Sequence, residues 1–298
     1  MAALTVVVCV KDDWRVVRLL ESLERQTAAS DRYRAVVVTS GREDYGGALG
    51  RFSFDVSVVE SPRPGLAVAR NWGLEHVGTE LVLTTDADCV AASDLVEQAL
   101  AAFAAAGRDV VGIGGAIAKY AQDTATRRHG ITINDGQGGL QYLPASPLPY
   151  ITGAHAAFRT EALRDVGGYD ERFSCGEDVD ICYRLGRAGG RLEVNPRMRV
   201  FHEDRASIYA HFQRFRWYAV DQALLFRMYG GGSGRRVHIN RYPPRRVAEA
   251  LGELRRGLPA VAQGDFGGLT AAGITLAEAA GVWAGDIEGS IRHRVLYL

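Results

Sequence analysis

A chain of 298 residues, 47% hydrophobic and 23% charged, can bury a sizeable core and has ordinary globular composition, which excludes a disulfide-stapled miniprotein, a disordered chain and a membrane-spanning bundle. Lysine and arginine together number 35, as do aspartate and glutamate, so no net field draws the chain toward nucleic acid or another acidic polymer. Cys9, Cys89, Cys175 and Cys182 form neither a C-x-x-C pair nor a zinc-spaced cluster with histidine and read as reduced thiols of a cytoplasmic protein.

The first apolar run, Ala2 to Val10, has no cationic segment before it, is too short to span a bilayer and runs into Lys11-Asp12-Asp13. It reads as a buried strand, Leu4 to Val10, rather than a signal peptide. No other run is apolar for long enough to span a membrane, so any membrane contact is expected to be peripheral. A helix is predicted over Asp13 to Gln26, where Val16, Val17, Leu19, Leu20 and Leu23 follow the helical period. Strands follow at Ala35 to Thr39 and Val56 to Val59, then a helix from Leu66 to His76 and a strand from Leu81 to Thr85. Ser93 is the predicted N-cap of a helix running to Ala106, with Gly107 as its stop.

β-branched runs alternating with helical patterns indicate parallel strands joined by crossover helices. Val110 to Ile113 adds another strand, and Gly114 to Pro149, rich in Gly, Gln, Asn and Pro, reads as an irregular excursion. A strand at Ala154 to Phe158, a short helix from Thr160 to Val166 and a helix from Glu177 to Ala188 come next. Arg191 to Phe201 is predicted as extended with a break at Pro196. Beyond Asp204, Ile208, Tyr209, Phe212, Phe215 and Ala219 fall on one helical face. A flexible joint over Gly230 to Gly234 precedes a mostly helical tail, and there is no internal repeat.

The chemistry concentrates at three places. Asp86 and Asp88 stand just past the end of a predicted buried parallel strand, in the crevice where open α/β sheets bind ligands. Such a pair suits a hard divalent cation able to neutralise a diphosphate, Asp88 as direct ligand and Asp86 facing a ribose or a metal-bound water, against the plainer reading of a solvated turn. Glu177 and Asp178 open a helix; Asp178 is the candidate general base and Glu177 the fallback, against the plainer reading of both as helix-capping acids. His202, at a strand end, could complete the metal shell or touch the diphosphate, or be structural.

The order of these motifs resembles the family-2 glycosyltransferases of the GT-A fold over Leu4 to Asp204. Val7-Val8-Cys9-Val10-Lys11-Asp12-Asp13 is similar to the family's opening strand and nucleotide loop, Gly65 to Asn71 to its G-x-x-x-A-R-N helix, and Leu83 to Asp88 to its metal-binding strand end. Thr152 to Arg159 is similar to the acceptor-side T-G-x-x-x-x-F-R segment, and Gly167 to Asp180 to the stretch that carries the catalytic E-D.

The resemblance implies an α/β fold with a mostly parallel central sheet flanked by helices. It divides the chain into a catalytic domain over 1–204, donor half about 1–114 and acceptor half about 150–204, and a helical extension over 205–298. It further implies an inverting transfer from a nucleotide-diphospho-sugar to an acceptor hydroxyl, with bound Mn²⁺ or Mg²⁺, Asp178 as base, and Asp88, Asp86 and His202 as metal contacts. Val10, Lys11, Asp12, Thr39, Arg70, Asn71, Asp86 and Ala87 are the expected donor-binding residues; Gly153, Ala154, His155 and Glu177 are the acceptor-binding ones.

Two departures stand out. Thr39-Ser40 replaces the family's base-reading acid, with Glu43, Asp44 and Glu60 as nearby substitutes, and His155 replaces a common Asn. A UDP-sugar is taken as the donor; the acceptor is a small molecule, a polysaccharide or a lipid-linked sugar. The competing readings are a retaining transferase of the same fold and a non-catalytic nucleotide-sugar or carbohydrate binder.

Arg70 reads either as a diphosphate ligand or as a surface arginine. Trp14 and Trp72 are expected in the core rather than stacked on a ligand. The aromatic and basic stretch from His211 to Arg227 is expected to pack against the catalytic domain with its arginines reaching water, the alternative being a membrane surface. The tail from Leu269 to Ile287 is expected to pack as helix, with self-association through these C-terminal helices as one use.

Overall fold

A computed structural model gives the protein's structure and describes residues 2–120, 140–143, 148–205, 207–230 and 237–298. The described residues divide into two compact units, one within 2–120, 140–143 and 148–202, the other within 203–298. Most of the predicted excursion and most of the glycine joint lie outside the described residues.

The first unit is built on β1 (Leu4–Lys11), β2 (Tyr33–Ser40), β3 (Asp55–Glu60), β4 (Leu81–Asp86), β5 (Cys89–Ala91), β6 (Val110–Lys119), β7 (Gln141–Tyr142), β8 (Pro149–Tyr150), β9 (His155–Arg159) and β10 (Arg191–His202). Eight of these form one sheet in the order β3-β2-β1-β4-β9-β6-β10-β5. Its helices are α1 (Arg15–Glu24), α2 (Leu66–Glu75), α3 (Leu95–Ala105), α4 (Thr160–Asp165) and α5 (Glu177–Arg187).

β1 shows why the opening run is continuously apolar. Leu4, Val6, Val8 and Val10 join one core and Val7 the core on the opposite face, as expected of a strand covered on both sides. Each such side chain contributes roughly 1.5–3 kcal/mol on burial.

The sheet is mixed, with most of its pairings parallel. β1, β2, β3 and β4 run parallel, and β6 and β10 pair parallel. β9 is antiparallel to both β4 and β6, and β5, absent from the sequence reading, is antiparallel to β10. The β9 reversal joins the two parallel halves and brings the start of β9 beside the end of β4, with Thr85 opposite His155.

Several expectations change at this level. β6 continues through Gly114 to Lys119 instead of ending at Ile113. The Gly-Gly-Ala stretch looks loop-like in composition, but Gly115 is there because a Cβ would overlap the His155 ring and the Met198 carbonyl. The Pro196 break is a bulge within one strand: Asn195 pairs with Gly115 and Arg199 with the next residue, Ala116, so proline sits where the ladder asks for no N–H. Ser93 does not cap α3. Asp94 holds the cap position without a side-chain cap bond, and the Ser93 carbonyl accepts from Thr27 N–H at 2.7 Å. Trp14 is half exposed and lies on Tyr45 with ring centroids 5.1 Å apart, so it is not core.

The second unit contains α6 (Ile208–Val220), α7 (Gln222–Tyr229), α8 (Tyr242–Val261), α9 (Gly267–His293) and the short parallel pair β11 (Val237–His238) and β12 (Leu296–Tyr297). The apolar face predicted for α6 is only partly buried. Ile208 and Tyr209 are exposed, whereas His211 and Arg214 are buried, the latter ion-paired with Asp204 instead of reaching water. α9 approaches α6 and the turn after it through Gly281, Gly285 and Gly289, where a Cβ would overlap the backbone oxygens of Phe212, Arg216 and Val220. Its other side exposes Leu276, Trp283, Ile287 and Ile291. Among the described residues no helix is long and apolar enough to cross a membrane.

Gly285→Val is therefore expected to cost about 1–3 kcal/mol through overpacking, read as a lower urea midpoint at unchanged slope. Gly252→Ala in α8 has only the flexible Arg256 head nearby and is expected to be neutral or to stabilise by about 0.5–1 kcal/mol. Equal midpoints for both variants would mean that the close helix approach contributes nothing to stability.

Candidate active site

The carboxyl ends of the parallel strands share one edge of the sheet. Register places Cys9 beside Asp86, Lys11 beside Ser40, and Thr39 beside Glu60. β10 arrives at the same edge by another route: it pairs with β6 and β5, which sets His202 opposite Lys119 and Cys89.

Asp86, Asp88 and His202 each bring a ligand atom to within 4.8 Å of the others. His202 Nε2 lies 3.4 Å from Asp88 Oδ1. Burial raises the Asp86 carboxyl above its ordinary range, and the like charge of Asp88 raises it further, against the opposing pull of Arg70 and His202. Two crowded carboxylates and an imidazole make a donor set that fits a divalent cation preferring oxygen with some nitrogen. Arg15, in no predicted motif, holds Asp13 through two nitrogens and reaches to 3.7 Å from Asp88. Only its place in the first turn of α1, just past the β1 loop, could have signalled this.

The Glu177 and Asp178 side chains have different surroundings. Glu177 is 2% exposed and ion-paired with Arg70. Burial pushes its carboxyl up to about 7, with the Arg70 guanidinium acting against that rise. Asp178 is only partly buried. Its Oδ2 accepts from Gly153 N–H and its Oδ1 from Val179 N–H, both at 2.8 Å. Each oxygen keeps a further lone pair for an acceptor hydroxyl.

Arg70 is neither a surface arginine nor open to solvent: it is 6% exposed, with its guanidinium 4.0 Å from Asp86 and over the Tyr169 ring at 5.6 Å. The same guanidinium fills the space that a Cβ on Gly153 would need. Asn71, predicted near the donor, is engaged by the turn before α5. It donates to the Tyr169 carbonyl at 2.9 Å and accepts from Tyr169 N–H at 2.7 Å.

The other predicted residues sort by burial. Val10 and Ala87 are buried at the edge, while Lys11 is exposed. Asp12 has φ of 50°, and its carboxylate accepts from Arg42 and Glu43 N–H groups, in that order the causes that hold its pKa low. It therefore ties the loop after β2 to the end of β1. Glu43, in the loop after β2, accepts from the Trp14 indole at 3.0 Å. Ala154 is half-buried. His155 is 1% exposed, and burial lowers its pKa to about 4, opposed by the Met198 carbonyl, so it stands as a neutral ring packed on Gly115.

Known proteins resemble the chain in sequence and, among solved structures, in fold. Residues 5–167 match the profile of glycosyl transferase family 2. A pre-mycofactocin glycosyltransferase of Mycobacterium tuberculosis (strain ATCC 25618 / H37Rv) is 30% identical over 212 residues, covering 68% of this chain and 44% of that protein. The chain thus spans less than half the length of that relative. Succinoglycan biosynthesis protein ExoA of Rhizobium meliloti (strain 1021) is 26% identical over 299 aligned positions, covering 97% of this chain and 84% of that one. Among solved structures, the mannosyltransferase PcManGT from Pyrobaculum calidifontis, in complex with GDP-Man and Mn²⁺, superposes with a TM-score of 0.64 at 20% identity, over 96% of this chain and 86% of that chain. S. aureus TarS 1–349 does so with a TM-score of 0.54 at 14% identity, over 100% and 93%. The fold is the GT-A type, a mixed sheet of eight strands flanked by helices with a helical C-terminal region. By the match over more than half its length, the chain belongs to glycosyl transferase family 2.

Proposed function

We propose that this chain transfers a sugar, with inversion, from a nucleotide-diphospho-sugar to an acceptor hydroxyl, using a divalent cation and Asp178 as general base. The observation that carries the reading is the convergence, on one sheet edge, of the Asp86, Asp88 and His202 donor set with a partly exposed carboxylate held by Gly153 N–H. A bound cation there would offset the negative charge that builds on the leaving diphosphate.

In this scheme Asp178 accepts the acceptor's hydroxyl proton as that oxygen attacks the anomeric carbon from the face opposite the diphosphate. The Gly153 N–H keeps the carboxylate oriented, and a positioned base of this kind is worth about 10²–10⁴-fold in rate. Glu177 is the poorer candidate because Arg70 already takes its charge. The Mn²⁺ and GDP-Man bound by the Pyrobaculum relative support a cation and a nucleotide sugar here; the base, the sugar and the acceptor class are matters for a donor and acceptor panel.

Asp178→Asn is expected to bind Mn²⁺ and nucleoside diphosphate as the wild type does in a thermal-shift assay, yet to lose about 10²-fold or more of transfer. The readout is nucleoside diphosphate released from a panel of UDP- and GDP-sugars. Undiminished transfer in that variant removes Asp178 as base, and proton NMR of the product's anomeric centre separates inversion from retention. A wild type that binds donor but never releases diphosphate would be a binding protein.

The raised Asp86 carboxyl gives a pH signature. Its proton is held more tightly in the folded than in the unfolded chain, so this group favours the folded state at low pH, and that contribution is lost as pH rises through the raised value. A cation needs the carboxylate, so the Mn²⁺-induced rise in melting temperature is expected to grow over that same window, above the ordinary carboxylate range. A Mn²⁺ shift equal at pH 5 and pH 7.5 would exclude Asp86 as a ligand.

A further inference from the structure

The buried ion pair between Arg70 and Glu177 has no part in the proton transfer proposed above, although both groups border it. Arg70 comes from α2, Glu177 from the first turn of α5, Asp86 from the end of β4 and Gly153 from just before β9. The guanidinium reaches the other three: paired with Glu177 Oε1, 4.0 Å from Asp86 Oδ1, and packed where Gly153 lacks a side chain. Gly153 N–H in turn holds Asp178. One cation thus links the cation site to the base.

Charge decides what this link does. A guanidinium near Asp86 competes with any divalent ion for that carboxylate, whereas Glu177 offsets the guanidinium's field. Among the described residues Glu177 Oε2 is buried without a hydrogen-bond partner, which costs free energy that the ion pair has to offset.

We infer that Glu177 and Arg70 are a positioning pair: Glu177 neutralises Arg70 so that Asp86 stays available to a divalent cation, and Arg70 holds Gly153 so that Asp178 stays aimed at the acceptor. Neither residue exchanges a proton with substrate. The kinetic half of this inference rests on the transferase reading; the cation-binding half does not.

The test is Mn²⁺ affinity by EPR titration, in parallel with kcat and KM, on chains whose folding is checked by circular dichroism and melting temperature. Glu177→Gln keeps the shape of the side chain but leaves the Arg70 charge unmatched, so Mn²⁺ affinity is expected to fall by at least about fivefold. The double variant Arg70→Gln/Glu177→Gln removes both charges and is expected to regain at least wild-type Mn²⁺ affinity. Its kcat stays low at near-normal donor KM, because Gly153 and Asp178 have lost their support.

Should Glu177→Gln fail to fold, Glu177→Asp, which keeps the charge but shortens its reach, carries the same titration. Unchanged Mn²⁺ affinity in all folded variants overturns the proposal. So does tighter UDP or GDP binding in Glu177→Gln at unaltered Mn²⁺ affinity, which would make Arg70 a diphosphate ligand held in reserve. A wild type with no transfer but with the expected Mn²⁺ pattern sinks the transferase reading alone.

Discussion

A guanidinium taken out of water must be matched by charge and hydrogen bonds or it will not stay buried. Arg70 meets that condition only if α2, the end of β4, the stretch before β9 and the start of α5 lie within one side chain's reach of each other. Tyr169 forms its floor, and Asn71, the next residue, fastens the turn that carries Tyr169. Two neighbouring residues on one helix therefore draw in segments that are about a hundred positions away. The site's geometry is a consequence of satisfying that charge.

The sheet provides the frame for it. Parallel strands end together at one edge, so Lys11 arrives beside Ser40 and Asp86 beside Cys9 through register alone. The reversed strand β9 then brings the start of a strand, with Gly153 before it, to an edge otherwise made of strand ends. β10 passes its bulge at Pro196 and continues to His202, which lets an imidazole from late in the chain meet Asp88 from early in it. Carboxylates crowded together in this way are costly when they are all charged, and a cation is the plainest relief.

The second unit follows a different logic. Its helices approach closely through glycines and bury ionic groups between them. Asp204 pairs with Arg214, His211 lies 3.3 Å from Glu278, His293 lies 3.1 Å from Asp221, and Asn240 donates to Asp286 at 2.9 Å. Pairs like these add little to net stability, yet removing one partner strands the other, so they restrict which helix faces can meet. The exposed apolar side of α9 is what remains once those faces have met.

The amino-acid sequence by itself determined the longer strands and the helices of the first unit, though not the short β5, β7 and β8, since continuous apolar runs and a 3.6-residue period depend only on local order. It also determined where Asp86, Asp88 and Asp178 fall, because strand ends and helix starts have local signatures. Tertiary structure alone decided the rest: the antiparallel β5 and β9, the extension of β6 through Gly115, the burial of Arg70, and the different surroundings of Glu177 and Asp178. The physical reason is common to all of these. Each depends on a partner distant in sequence, such as Met198 and His155 for Gly115 or Glu177 for Arg70, and no local pattern encodes which distant group will fill a space or balance a charge.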